Sequence, residues 1–418
     1  MPRPASRIPE TVLDRLRNTS SGLEIWWDSS PLIYPGWSQK LIASFPENKR
    51  EILVEQFRRL YDPGHPAETL FTGVTTNPPL SYQAIQDNPA RWSAWVREHG
   101  LAHPDRDATQ VGWALYEETV RLGAELFRPV YEASDCSHGH LSAQVDPYTF
   151  FDAEAMLSQA LELKALGPNI AIKIPGTQEG LDVIFRLTAL GVSTNCTAAY
   201  TVPQFIAAAD AVQAGLLVAR TNGVDLTGWR SVVTYMSARW EGAAEFEQQA
   251  AQQGLSLSPE DRRLAGVAIF KQAYRIFRQR AYPSKMLICS LRLGPVVDGA
   301  TRCWHLEETA GARAVFTLPP PFLTELFTKA EHLTFEPRIR RGLQADVMER
   351  LQRIPYFNAA YQPDGLTPAE FNHLPPLLST WTEFKEARDK IVAFAAQAMS
   401  AERQPTDETG SALTAPSS

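Results

Sequence analysis

Eight short apolar runs, each separated from the next by a longer stretch, constrain this chain more than any other feature. The runs are Leu23–Asp28, Leu70–Asn77, Leu141–Asp146, Asn169–Pro175, Gly191–Thr197, Ser231–Met236, Met286–Leu291 and Ala314–Leu318. Helical patterns lie between them. Asp152–Leu166 has apolar residues at three- and four-residue spacing behind an aspartate that suits a helix start. Glu179–Leu190 and Pro203–Gln213 read the same way, and Pro259–Arg280 is a long amphipathic stretch with basic residues at its C-terminal end. Strands that alternate with helices imply a parallel sheet. Eight such units in roughly 300 residues predict a closed (β/α)8 TIM barrel, an α/β fold, rather than an open doubly wound sheet. No G-x-G-x-x-G follows the first run, which weakens a dinucleotide-binding reading.

The pattern divides the 418 residues into an N-terminal segment (1–20) able to form a short docking helix, a barrel (21–330), a helical C-terminal extension packed on it (331–400) and a tail (401–418). The tail is rich in Ser, Thr, Pro and Ala and is expected to be disordered. Within the barrel a helical insertion spans about 80–139, between the second and third runs, with Trp92, Trp95 and Trp113 as packing anchors. The insertion and extension are long enough to cover the barrel or to join two copies of the chain as a homodimer.

A net charge of −7 argues against sequence-independent nucleic-acid binding, which needs a basic surface. It leaves room for a local arginine cluster that grips a small anion. Cys136, Cys196, Cys289 and Cys303 form no CxxC pair and have no metal-ligand spacing, so no zinc site is expected and a reduced, cytoplasmic protein fits best. Met1–Leu23 has no apolar core of a signal peptide, and no stretch is read as approaching the ~18 apolar residues of a membrane helix.

Lys173 is the most informative residue. It sits in Ile170-Ala171-Ile172-Lys173-Ile174-Pro175, and a lysine is seldom buried without a reason. At a strand edge it would snorkel to water. Facing into a barrel, its ammonium form is disfavoured by desolvation, which leaves a nucleophilic amine for a carbonyl. Asp28, Asn77, Gln144, Asp146, Asn195 and Thr197 stand at the ends of other runs, on the rim where barrel active sites are built. Arg239 follows the sixth run, and Ser290 and Arg292 follow the seventh; two guanidiniums and a hydroxyl on neighbouring loops suit a phosphate.

These motifs resemble the transaldolase family of Schiff-base aldolases. Gly73–Pro78 (GVTTNP) looks like the family's second-strand motif, and Lys173 in IKIPGTQEGL resembles its Schiff-base segment, the most specific match. Gln144-Val145-Asp146-Pro147, Asn195-Cys196-Thr197 followed by Gln204, and Ser290-x-Arg292 are similar to the third-, fifth- and seventh-strand segments. The resemblance implies transfer of a dihydroxyacetone unit between sugar phosphates in the pentose phosphate pathway. By it, Lys173 forms the imine, Asp28 is a general acid/base, Asn77 and Asn195 hold donor hydroxyls, Thr197 orients a water, and Thr75 lines the acceptor side. Arg239, Ser290 and Arg292 bind phosphate. No metal or organic cofactor is implied, because the protonated imine is the electron sink.

One departure bears on the activity. Ordinary transaldolases have a glutamate where this chain has Gln144, whereas the fructose-6-phosphate aldolases have glutamine. An amide positions water but does not shuttle a proton as a carboxylate does. Those aldolases also carry a tyrosine three residues before the strand-six arginine; here that position is Met236, with Tyr235 one place earlier, and a shift of one would turn Tyr235 inward. A simple aldolase releasing free dihydroxyacetone is therefore the alternative, and a non-catalytic barrel a further one.

Overall fold

The computed structural model describes residues 8–400; the tail expected to be disordered and the first residues of the N-terminal segment lie outside the described residues. Eight parallel strands close into a barrel: Glu24–Trp27, Phe71–Thr75, His140–Gln144, Ile170–Pro175, Thr194–Ala199, Ser231–Met236, Lys285–Cys289 and Val315–Leu318. The first strand pairs with the eighth through Glu24 opposite Val315, and each of the others pairs with its sequence neighbours. This is the predicted (β/α)8 architecture. The fifth strand begins three residues later than its apolar run, because Gly191 adopts φ +75° to end the preceding helix and Val192–Ser193 lead in.

Local signals start the helices. Asp152 accepts a hydrogen bond from the Ala155 amide to begin Ala153–Ala165, and Thr177 and Thr201 do the same for Gln178–Ala189 and Val202–Thr221. Ser258 and Asp261 form a capping box around Pro259, which opens Pro259–Gln279. The segment between strands two and three folds as Pro78–Asp87, Pro89–Ala102 and Ala108–Ala133. Trp92 is buried there and bonds Ala84 O, while Trp95 and Trp113 are half-buried.

Val202–Thr221 corrects the reading that no stretch has membrane length. The helix has 20 residues and an 18-residue window of mean hydropathy 1.4, long and apolar enough to cross a membrane by length and composition alone. Alanines raise the average, and 61% of the window is buried in the protein, as in a helix that packs on a barrel.

Inside the barrel, side chains alternate along each strand. Glu24, Trp26 and Asp28 point inward from the first. Trp27 points out, 5.2 Å from Tyr34, 5.0 Å from Trp37 and 5.6 Å from Phe71 between ring centres. The second strand carries one extra residue against the first, since Ile25 pairs with Phe71 and Trp27 with Val74. Gly73 sits at that irregularity; a Cβ there would fall 2.4 Å from the Trp26 ring, so glycine lets the indole enter the barrel.

The two ends of the barrel differ. At the N-terminal end Glu24 accepts two 2.7 Å bonds from Arg230, one of 2.5 Å from Lys285 and one of 3.0 Å from the Trp26 indole. Arg230 also lies 5.0 Å over Trp26. Across the C-terminal end runs the helix Pro375–Ser400. Its Trp381 donates to Pro147 O (2.7 Å), and its Arg388 donates to Asp146 (3.0 Å). Thr380 is 2.6 Å from the Tyr200 hydroxyl. The extension thus packs against the loops that follow the strands.

Candidate active site

Lys173 is 4% exposed, in mid-strand, and its Nζ donates to Thr76 O at 3.2 Å, one residue before Asn77. Burial lowers its pKa from the ordinary lysine value; Asp28 and Cys289 oppose the shift and Arg239 adds to it. Burial likewise pushes the Asp28 carboxyl above the ordinary aspartate value, against the pull of Lys173, the Thr75 hydroxyl and Arg239. Thr75 donates to Asp28 at 2.6 Å and is 2.6 Å from the Thr317 hydroxyl. The extra residue in strand two is what turns Thr75 inward toward Asp28. Cys289, beside this pair, has its thiol pushed up to about 12 by burial and stays protonated at neutral pH.

Register places the neighbours. Lys173 lies opposite Gln144 on one side and Asn195 on the other. Gln144 donates through Nε2 to Lys173 O at 3.0 Å, while its backbone amide and carbonyl bond the Tyr116 hydroxyl at 2.9 and 2.8 Å. Asn195 is held between Ser142 (3.0 Å) and Thr234 (2.6 Å). Gln144 Oε1 and Thr197 Oγ1 are buried without a hydrogen-bond partner among the described residues. Native structures pair most buried polar atoms with protein or water. Asn77 caps the helix Pro78–Asp87, accepting from the Leu80 amide at 2.9 Å through Oδ1. Asp28, Thr75, Gln144, Lys173, Asn195 and Thr197 therefore share one interior surface, and Asn77 borders it.

The three residues expected to hold phosphate are less uniform. Arg239, on the short helix Ser237–Glu241, gives both guanidinium ends to Glu383 of the C-terminal helix, at 2.6 and 2.9 Å. Ser290 is half-buried at φ +59°, and its carbonyl accepts from the Ala238 amide at 3.2 Å, tying the sixth and seventh loops together. Arg292 is exposed, with Nη1 on the neighbouring Leu291 carbonyl.

Sequence reading missed the support beneath these loops. His305 accepts from the Arg292 amide at Nδ1 (3.0 Å), so its proton sits on Nε2, which faces Glu241 at 2.7 Å. Ser237 also donates to Glu241, at 2.6 Å, and Arg263 pairs with its other oxygen. Burial works against the charge of Glu241, but His305, Arg263 and Ser237 hold its pKa below the ordinary value. No motif announced this cluster, because Glu241 and His305 are 64 residues apart.

The strand-six alternative resolves against Tyr235. Its ring packs against Phe205 (5.5 Å) and Phe270 (6.4 Å), both on outer helices, so it faces away from the site. Met236 faces inward instead, 3.6 Å from the hydroxyl of Tyr200. The phenol on this side of the mouth comes from Tyr200, at the end of strand five, which sequence reading did not single out.

The comparisons with known proteins bear on the same strands. A family model described as Transaldolase/Fructose-6-phosphate aldolase matches residues 65–360. The chain belongs to the transaldolase/fructose-6-phosphate aldolase family. It is similar to a transaldolase of Saccharopolyspora erythraea, 33% identical over 272 residues, covering 62% of this chain and 71% of that protein. It is 29% identical over 277 residues to transaldolase 1 of Streptomyces avermitilis, covering 65% of each chain. A transaldolase of Mycolicibacterium smegmatis is 34% identical over 211 residues, covering 50% of this chain and 55% of the relative. The matched region thus spans between about half and seven tenths of these relatives.

Proposed function

We propose that this enzyme transfers a dihydroxyacetone unit from a ketose phosphate to an aldose phosphate through an imine on Lys173. The single observation that carries the reading is the burial of Lys173, 4% exposed, on the interior surface it shares with Asp28. Neutral Lys173 attacks the donor ketone, and loss of water gives the imine. Asp28 takes the proton of the hydroxyl on the carbon that leaves as the aldehyde; as that C=O forms, the carbon–carbon bond cleaves and its electron pair moves into the protonated imine, leaving an enamine on Lys173. An acceptor aldehyde adds to the enamine in the reverse sense, and water releases the product. Gln144 Oε1 and Thr197 Oγ1 are the groups that would position this water, and Asn77 Nδ2 and Asn195 would hold donor hydroxyls. Arg239, Ser290 and Arg292 would take the phosphate. The four unpaired cysteines fit a reducing, cytoplasmic setting.

Trapping tests the reading. Borohydride in the presence of fructose 6-phosphate is expected to add the mass of the reduced adduct at Lys173; a protein that stays unlabelled, or labels at another lysine, refutes it. Gln144 favours a second reading, plain cleavage with release of dihydroxyacetone, because an amide does not relay a proton. An assay with and without acceptor aldehyde separates the two.

A further inference from the structure

Away from the mouth, a cavity of about 490 Å³ opens between the helix Pro259–Gln279 and the segment that includes Ile339 and Leu343. That size falls within the roughly 300–1,000 Å³ of small-molecule sites. Neither Lys173 nor any residue sharing its interior surface lines it. Tyr274, in its wall, accepts a 3.0 Å hydrogen bond from the Arg313 amide, which leads into the eighth strand at the N-terminal end of the barrel.

The lining has two parts. Lys271, Arg275, Arg278, Arg340 and Arg341 bring five positive charges, and no carboxylate is among the lining residues, on a chain whose net charge is −7. Glu308 partly neutralises Lys271 and Glu336 partly neutralises Arg341 from outside the cavity. Arg275 is fixed by the Gln272 amide oxygen at 2.8 Å, an acceptor without charge, so its own charge is uncompensated by that contact. The rest of the wall is apolar or aromatic: Tyr274, Ile339, Leu343, Met348 and Tyr361. Positive charge over an apolar and aromatic wall suits a molecule with an anionic end and a flat, weakly polar body. Guanidinium groups grip phosphate through paired hydrogen bonds and also stack on planar rings.

We propose that this cavity binds a nucleoside phosphate, independently of the sugar site. Isothermal titration of the full chain with adenosine triphosphate is the test, repeated with saturating fructose 6-phosphate and on Lys173→Ala. Binding is expected in all three cases, weakening as salt is raised. Arg275→Ala and Arg340→Ala should each weaken it roughly tenfold, the scale of one charge-assisted hydrogen bond, and Arg340→Lys should recover part of the loss. The proposal is overturned by an absence of binding, by displacement with fructose 6-phosphate, or by indifference to both arginine variants. None of these outcomes depends on whether Lys173 forms an imine.

Discussion

The guanidinium of Arg239 and the carboxylate of Glu383 face each other end to end, with contacts of 2.6 and 2.9 Å, across the mouth of the barrel. An arginine read from the sequence as a phosphate ligand is thus already held by an internal anion from the C-terminal helix. A phosphate arriving at Arg239 must displace that carboxylate or share the guanidinium with it. The pair is part-exposed, so its strength is modest, about 0–1 kcal/mol. Glu383→Gln is accordingly expected to lower KM for a phosphorylated ketose roughly two- to fivefold and to leave KM for free dihydroxyacetone unchanged. Equal changes for both substrates would mean that Glu383 acts on the fold and does not compete with phosphate.

In the proposed cycle Gln144 is the residue expected to set the fate of the enamine. Gln144→Glu is expected to raise the ratio of transfer to plain cleavage, measured as acceptor-derived product against free dihydroxyacetone. An unchanged ratio would remove position 144 as the discriminator.

The activity should depend on pH through two groups whose shifts run in opposite directions. Burial lowers the Lys173 pKa, so a neutral amine becomes available below the ordinary lysine range and the rate should rise with pH through that lowered value. Burial raises the Asp28 pKa, so loss of its carboxylate on acidification should begin above the ordinary aspartate value. Asp28→Asn should depress kcat by two orders of magnitude or more, on the scale of about 10²–10⁴ for a general acid–base group, while borohydride still labels Lys173. Full turnover after Asp28→Asn would assign the proton transfer to another residue.

At the closed end of the barrel, burial penalises the charge of Glu24, but Arg230 and Lys285 outweigh the penalty and hold its pKa far below the ordinary value. A depressed folded pKa contributes stability that is present above the unfolded value near 4.5 and is lost as pH falls toward the folded one. Glu24→Gln should cost about 3–5 kcal/mol in denaturant unfolding at pH 7, as expected when one partner of a buried ion cluster is removed. The variant should also lose less stability than the wild type as the pH is lowered through that unfolded value. Parallel acid profiles for the two proteins would contradict this account.

Tyr235→Phe should leave kcat and KM unchanged, since its ring lies between outer helices. A loss of transfer activity with unaltered folding would show that this phenol reaches the substrate after all.

The features legible in the sequence were local ones. Strand alternation has a period of two and helix faces a period of 3.6, so eight apolar runs and the stretches between them could be read without knowing what touches what. Lys173 stood out for the same reason: a charge in the middle of an apolar strand conflicts with its immediate neighbours. The tertiary structure decided what depends on encounters between distant segments. Arg239 and Glu383 meet across 144 residues, and Glu24 and Lys285 across 261. One extra residue in strand two turns Thr75 toward Asp28, and the sixth strand's register sends Tyr235 outward and Met236 in. Local propensity carries no record of such pairings, because the desolvation and Coulomb energies that select them exist only once the barrel has closed.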